Sequence, residues 1–361
     1  MSDQKPLLSI CIPTYNRSKF LRVMLQALLP QVAEFVEQVE VWVIDNASPD
    51  ETPVVVEESR ALGPFQYCRN ETNIGPLQNI LKGPCELARG EFVWILGDHN
   101  LMMPSALRHL VGVLSSEQEL DLFYANFRCA TYPSHWPTSA HSGYAGPFEY
   151  IGNTELHDTV VSRWMNLIKS DSGLCTQVYA HVVRTNIWKD YWYGRQIGEA
   201  YTSGETTYPH TWMIAATCFM KPAGCLQEPL ITIFNGAQSW SNPETAGKVI
   251  VNGVPGLLEH FQSLGLPLPT LSTARMRESK IARTVFIQLI RKNPVLGLRL
   301  MSSYPAGMRW NSQAMYSVVA AVLHVYFPAI IRLRGSVKHY AITVCRYVFV
   351  NCRIARLLRS S

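Results

Sequence analysis

Apolar runs that end abruptly in polar clusters recur along the first 120 residues of this chain, and they set its expected architecture. Leu7-Leu8-Ser9-Ile10-Cys11-Ile12 stops at Pro13, and Thr14-Tyr15-Asn16-Arg17 comes next as a polar loop. A near-continuous run of this kind predicts a strand buried on both faces of a parallel sheet. Phe20, Leu21, Met24, Leu25 and Leu28 then recur at helical spacing, with Asn16 or Ser18 as the expected cap. Val39 to Ile44 predicts a second strand, ended by Asp45-Asn46-Ala47-Ser48-Pro49-Asp50, and Phe65 to Cys68 a short third. A helix is expected over Leu77 to Ala88. It leads into Phe92-Val93-Trp94-Ile95-Leu96, five large apolar residues in a row, which turn at Gly97 into Asp98-His99-Asn100.

Strands that alternate with helices and carry polar clusters at their carboxyl ends predict a doubly wound α/β sheet binding its ligand along one rim. Neither GxGxxG nor GxxxxGK[ST] occurs at these tips, so dinucleotide and P-loop readings have little support. Beyond this half, Tyr132 to Thr154 is rich in Tyr, Pro, Ser, His and Gly and predicts a long loop. It reads as an acceptor-side lid offering Tyr132, Trp136 and Tyr144 for stacking. Asp158 to Ile168 is expected to be a helix and Gly173 to Ile187 to contain a strand returning to the sheet. Gly204-Glu205 leads a loop before a helical run, Trp212 to Phe219, and Gln238 to Asn242 is expected to close over the site.

Composition adds two constraints. The chain has 361 residues, 47% of them apolar, enough for a large core, and its nine cysteines form neither a CxxC pair nor a metal-ligand cluster with histidine. With a buried strand expected almost from the start, at Leu7, the thiols are read as reduced and the protein as cytoplasmic. Charge is strongly asymmetric. No Asp or Glu comes after Ser279, whereas 13 of the 32 Lys and Arg do, leaving 19 cations against all 27 acidic groups in the body. A cationic tail on an acidic body implies an anionic partner for the tail alone.

In that tail a helix is expected from about Leu271 to Ile290. Ala314 to Ile331 is an apolar run broken by His324 and Pro328, a poor candidate for spanning a bilayer. On a helical wheel at about 100° per residue, Lys338, His339, Arg346, Arg353 and Arg356 share one sector of the stretch Val337 to Arg359. Tyr340, Val344, Tyr347, Val348 and Leu358 fall outside it. This predicts an interfacial helix on an anionic membrane surface, peripheral at the inner face of the cell membrane. No nucleic-acid partner is expected, since base-stacking loops and a binding motif are missing.

Four motifs in order carry a resemblance: Pro13-Thr14-Tyr15-Asn16-Arg17, Val43-Ile44-Asp45-Asn46-Ala47-Ser48-Pro49-Asp50, Asn73-Ile74-Gly75, and Ala88-Arg89-Gly90-Glu91 leading to Gly97-Asp98. Together they resemble family 2 glycosyltransferases of the GT-A fold, closely over residues 6 to 115 and weakly to about 240, in a manner similar to bacterial enzymes of surface-polysaccharide synthesis. The resemblance implies a nucleotide-sugar-binding fold with a mostly parallel central sheet over residues 1–245, the nucleotide half about 1–115 and the acceptor half about 116–245. A helical basic extension would occupy 246–361.

By the same resemblance Pro13, Thr14 and Asn16 line a nucleoside diphosphate sugar donor, Asp45 contacts its base, and Asn73 and Asn79 lie close by. Asp98-His99-Asn100 stands where the family carries DxD, a pair of carboxylates that hold Mg²⁺ or Mn²⁺ against the diphosphate. Asn100 replaces the closing acidic residue, so the metal set implied is Asp98 with an amide oxygen, and metal dependence is in question. Glu205 is the candidate general base of an inverting transfer, with Asp98 on the leaving-group side, and Glu199 and His210 are the substitutes for the base. The expected activity is sugar transfer to a lipid-linked or polysaccharide acceptor in cell-surface glycan synthesis. Two alternatives stay open: a non-catalytic nucleotide-sugar-binding or scaffold protein, and a nucleotidyltransferase, which would release pyrophosphate.

Overall fold

A computed structural model describes residues 5–131, 148–149, 159–168, 174–235 and 243–303. The expected lid, apart from residues 148–149, the closing segment 238–242 and both tail segments, 314–331 and 337–359, lie outside the described residues. The chain divides into two compact units, one of residues 1–200 and 208–238, the other of 201–207 and 239–361.

In chain order the first unit contains β1 (Leu8–Thr14), α1 (Ser18–Val32), β2 (Val39–Asp45), α2 (Thr52–Ser59), β3 (Gln66–Arg69), α3 (Pro76–Lys82), β4 (Phe92–Ile95), β5 (Leu101–Met102), α4 (Ala106–Ser116), β6 (Leu122–Thr131), β7 (Phe148–Glu149), β8 (Thr159–Val161), β9 (His181–Arg184) and α5 (Thr185–Trp192). It resumes after a segment of the second unit, α6 (Gly204–Thr207), with α7 (Pro209–Cys218) and β10 (Ala223–Asn235). One ten-stranded sheet runs β3-β2-β1-β4-β9-β6-β10-β5, with β7 beside β6 and β8 beside β10. Strands β1 to β4 are mutually parallel, β9 is reversed, and β6 and β10 run parallel to each other. The α/β sheet is thus mostly unidirectional, as expected, with its mixed pairing confined to the second half.

The apolar runs form strands because both faces of the sheet are covered. α1 packs with α2 and α4, while the turn after α3 packs with α5, and α5 with α7. Ile10, Cys11, Ile12, Phe92, Trp94 and Leu96 are consequently all fully buried. At the amino ends of the strands, buried Glu40 of β2 accepts from the Ser9 hydroxyl (2.5 Å), the Arg89 backbone N–H (2.7 Å) and the Arg89 guanidinium (2.9 and 3.0 Å). Gly90 crosses so close to β1 that a Cβ there would lie 2.6 Å from Ser9 N. The Ala88-Arg89-Gly90-Glu91 motif therefore serves as a buttress at the end of the sheet opposite the polar tips.

Three local expectations are corrected. The Asp158–Ile168 segment is not a helix: its β-branched Thr159-Val160-Val161 pairs antiparallel with Cys225-Gly224-Ala223, and a single 3₁₀ turn, Trp164–Leu167, comes after it. The helix expected to Ala88 ends at Lys82 and widens into a π turn over Gly83–Leu87, where Pro84 lacks the N–H an α-helix requires. α1 is capped by neither Asn16 nor Ser18 side chain; Asp50, from the loop after β2, accepts the Ser18 N–H at 2.8 Å.

The second unit contains α6, α8 (Pro243–Lys248), α9 (Val254–Ser263), α10 (Leu268–Lys292) and α11 (Pro294–Ser302). α10, which covers the helix expected over 271–290, packs on α8, α9 and α11. α6 sits on the start of α9, where a Cβ on Gly253 would meet Thr207 at 2.5 Å, and Asn252 donates to the Tyr201 carbonyl at 2.9 Å. Among the described residues no helix is long and apolar enough to cross a membrane.

Candidate active site

The parallel register sets the carboxyl ends of β2, β1 and β4 side by side, and β1 stands between the other two. Thr14, the last residue of β1, lies opposite Asp45, the last of β2, and its hydroxyl donates to Asp98 Oδ2 at 2.9 Å in the turn beyond β4. Two carboxylates separated by 53 positions in sequence thus flank one threonine. The loops are tied as well: Asn16 N–H donates to the Ser48 hydroxyl at 2.9 Å, and Asn46 N–H to the Thr14 carbonyl at 3.0 Å. Asn16 and Ala47 both take left-handed backbone, φ 54° and 60°. For Ala47, whose Cβ makes that conformation unfavourable, the cost is about 1–2 kcal/mol, offset by the hydrogen bonds around it.

Asp45 is fully buried. A carboxylate removed from water needs several donors, and Asp45 has three: Ser48 N–H at 2.8 Å, the Tyr67 hydroxyl at 2.7 Å and the Arg69 guanidinium at 2.5 Å. Arg69 ends β3 in register with Asp45, and its other nitrogen donates to the Ser48 carbonyl at 3.0 Å. Burial and the Asp45 carboxylate together push the Tyr67 hydroxyl up to about 12.

Beside Asp45 lies a network of amides. Asn46 donates to the Asn73 side chain (2.8 Å) and the Gly75 carbonyl (3.2 Å), and its own oxygen accepts from Asn70 and from Ile74 N–H. Asn79 is buried with both amide atoms committed, its oxygen to Asn70 at 2.9 Å and its nitrogen to the Ile44 carbonyl at 3.1 Å. Lys82 closes the network on Asn70 at 2.7 Å. Asn73 is exposed at the edge of this network, and Pro13 is half-buried within β1.

Asp98 is 4% exposed and carries three partners: Arg17 Nε on Oδ1 at 2.8 Å, His99 Nδ1 on the same oxygen at 3.1 Å, and Thr14 on Oδ2. Burial alone raises its pKa, but the His99 hydrogen bond, the Arg17 charge and the Thr14 hydroxyl outweigh it and hold the carboxyl below the usual range. The Asn100 side-chain oxygen accepts the Gly97 N–H at 2.7 Å, while its Nδ2 is buried without a partner. A Cβ on Gly97 would stand 2.9 Å from the His99 ring and 3.2 Å from the Asn100 oxygen, so glycine lets both side chains pack against the turn.

These donors do not suit a divalent ion. The turn supplies one carboxylate, already engaged on both oxygens, and an amide whose oxygen is spent on the backbone. Among the described residues no three His, Cys, Asp or Glu side chains converge.

The structure therefore gathers Thr14, Asn16, Asp45, Asn73, Asn79, Asp98 and Asn100 at one rim. Glu205 belongs to the other unit, half-buried in the first turn of α6. His210 is unsuited as a base: it is buried in the first unit against the Thr176 carbonyl and His181, and burial drives its pKa well down. Sequence reasoning missed Arg17, Asn46, Tyr67, Arg69, Asn70 and Lys82. Arg17 sat within a motif already singled out, and Arg69 is the polar tip of the third strand, so the rule that found Asp45 and Asp98 applied to it too.

Residues 9–169 match the family model Glycosyl transferase family 2. The abequosyltransferase RfbV of Salmonella typhimurium is 25% identical over 255 residues, 68% of this chain and 72% of that protein. An uncharacterized glycosyltransferase of Haemophilus influenzae is 28% identical over 34% of this chain and 40% of its own length. Among solved structures, S. aureus TarS in complex with UDP-GlcNAc shares 15% identity at a TM-score of 0.48, covering 87% of this chain and 79% of that one. The mannosyltransferase PcManGT of Pyrobaculum calidifontis, solved with GDP-Man and Mn²⁺, shares 14% identity at a TM-score of 0.48, covering 90% and 88%. With two carboxylates and their loops assembled at the tips of a parallel sheet inside the matched segment, the protein is a glycosyltransferase whose residues 9–169 match family 2.

Proposed function

We propose that the enzyme transfers a sugar, with inversion, from a nucleoside diphosphate sugar to a lipid-linked or polysaccharide acceptor in cell-surface glycan synthesis. The observation that carries the donor half is the Thr14 junction, in register with Asp45 and hydrogen-bonded to Asp98. On this reading Pro13, Thr14 and Asn16 line the donor, and Asp45, with Tyr67 and Arg69 around it, forms the base-side wall. Asn73 and Asn79 shape the adjoining loop, and Asp98 marks the diphosphate side.

In the chemical step an acceptor hydroxyl oxygen bonds to the anomeric carbon as the carbon–oxygen bond to the diphosphate breaks. The bonding pair departs with the nucleoside diphosphate, and the hydroxyl proton passes to Glu205. We read residues 1–245 as the catalytic part and 246–361 as a membrane-associating extension. The acceptor assignment is supported by the cationic tail, which suits an enzyme held at the anionic cytoplasmic membrane face where a lipid-linked acceptor resides. A relative named for transferring abequose supports sugar transfer as the chemistry.

The test is a panel of nucleoside diphosphate sugars incubated with the full chain and a bacterial lipid extract. Release of a nucleoside diphosphate coupled to labelling of the lipid fraction is expected. Pyrophosphate release would make the protein a nucleotidyltransferase, and tight donor binding without turnover would make it a scaffold.

A further inference from the structure

The longest helix of the second unit, α10, is two-sided. At about 100° per residue, Leu271, Glu278, Ala282, Phe286 and Leu289 fall together on one side, and all five are buried. They accompany the packing of α10 on α8, α9 and α11. On the opposite side Thr273, Met276, Arg277, Arg283, Ile287 and Arg291 share a sector of about 120°, and none of the six is buried. Met276 is 60% exposed.

The outward side carries charge of one sign. From Leu268 to Ser302, through α10 and α11, the chain has seven Lys or Arg and a single acidic residue. That residue is Glu278, on the packed side and 9% exposed. The rest of the extension supplies no counter-charge: residues 304–361 contain eight further Lys or Arg and neither Asp nor Glu, so like charge opposes their folding over this face.

Met276 and Ile287 stand among the arginines, and they would gain little from a purely ionic partner such as nucleic-acid phosphate. An anionic bilayer suits both kinds of side chain. Its headgroup phosphates accept from guanidinium groups, while the apolar side chains and the arginine stems enter the boundary between headgroups and acyl chains. We propose that this face of α10 is the surface by which the second unit docks on an anionic bilayer. The proposal rests on the membrane reading of residues 246–361 above, and it assigns part of that contact to a packed helix ahead of the stretch 337–359.

The test is hydroxyl-radical footprinting of the full chain, read by peptide mass spectrometry, with vesicles of phosphatidylcholine alone and of phosphatidylcholine with added phosphatidylglycerol. Met276 is the native probe, and Met220 of the first unit, 54% exposed, is the reference. Oxidation of Met276 relative to Met220 is expected to fall about threefold or more on the anionic vesicles, as a side chain entering the interface is shielded from water, and to stay unchanged on phosphatidylcholine. Arg283→Gln combined with Arg291→Gln should weaken co-sedimentation with the anionic vesicles about tenfold or more, since each cation at such a surface is worth about fivefold in partition. Circular dichroism of the double variant separates misfolding from lost contact. Vesicle binding that leaves the Met276 to Met220 ratio unchanged and survives the double substitution overturns the proposal and leaves the membrane reading to the tail. Failure to bind either vesicle overturns both. A dimer in light scattering that protects Met276 without lipid also overturns the proposal, giving the face to a second copy of the chain.

Discussion

Thr14 donates its hydroxyl to Asp98 Oδ2 at 2.9 Å across 84 positions of sequence, while its Cα is paired in register with Asp45. One β-branched residue at the tip of the central strand thereby links the two acidic turns of the rim. Replacing it by valine preserves shape and burial and removes only the hydroxyl. Thr14→Val is expected to lose about 1.5–3 kcal/mol of stability, the range for hydrogen bonds to charged groups, and to weaken donor binding. Thr14→Ser, which keeps the hydroxyl, should stay close to wild type. Urea unfolding of the two variants, then nucleotide titration, makes the comparison.

On the proposed mechanism Glu205 takes the acceptor's proton. Glu205→Gln retains size and hydrogen bonding but cannot take that proton, so turnover should fall by roughly 10²–10⁴-fold while nucleoside diphosphate affinity stays unchanged. Wild-type turnover in this variant would remove Glu205 from the chemistry.

Gly90 bears on stability rather than on the rim. A methyl group there would collide with the Ser9 backbone at 2.6 Å and pry apart the Ser9, Glu40 and Arg89 cluster. Gly90→Ala is expected to cost about 1–3 kcal/mol or more, read as a lowered midpoint of thermal unfolding. The fraction that folds should bind donor normally, because the cluster lies at the opposite end of the strands.

His181 and His210 predict acid lability. Their rings lie 5.8 Å apart in the first unit's core, and burial lowers the His181 pKa from 6.5 to about 4 and drives His210 well down. Above pH 6.5 both rings are neutral in the folded and the unfolded chain, and nothing is lost. Below it the unfolded chain binds protons that the folded chain refuses, so stability falls by about 1.4 kcal/mol per pH unit for His181 alone until its folded pKa is reached. His210 adds a loss of the same sign. Urea midpoints at pH 7.5 and pH 5 should differ accordingly in the wild type, and His181→Phe should reduce the difference. Equal slopes in the two proteins would mean that His181 is solvated in the native state.

The alternation of strands and helices and the places of the polar tips were legible in the chain's own pattern. Ile10 to Ile12 and Phe92 to Leu96 must be buried on both faces wherever they lie, and a chain leaving such a strand brings its next polar side chains to the sheet's rim, here Thr14 and Asp98. That logic is local, and it holds without knowing which strand neighbours which. It fails where the outcome depends on a neighbour: Thr159 to Val161 became a strand because β10 offered an edge, and α1 took its cap from Asp50, 32 positions away. The charge partners of the rim were undetermined for the same reason. Arg17 meets Asp98, and Arg69 meets Asp45, only because the order β3-β2-β1-β4 sets those tips side by side. A carboxylate's function depends on what neutralises it, and strand order, a property of the folded chain, decided that Asp98 holds an arginine and that Asn100 turns its oxygen to Gly97.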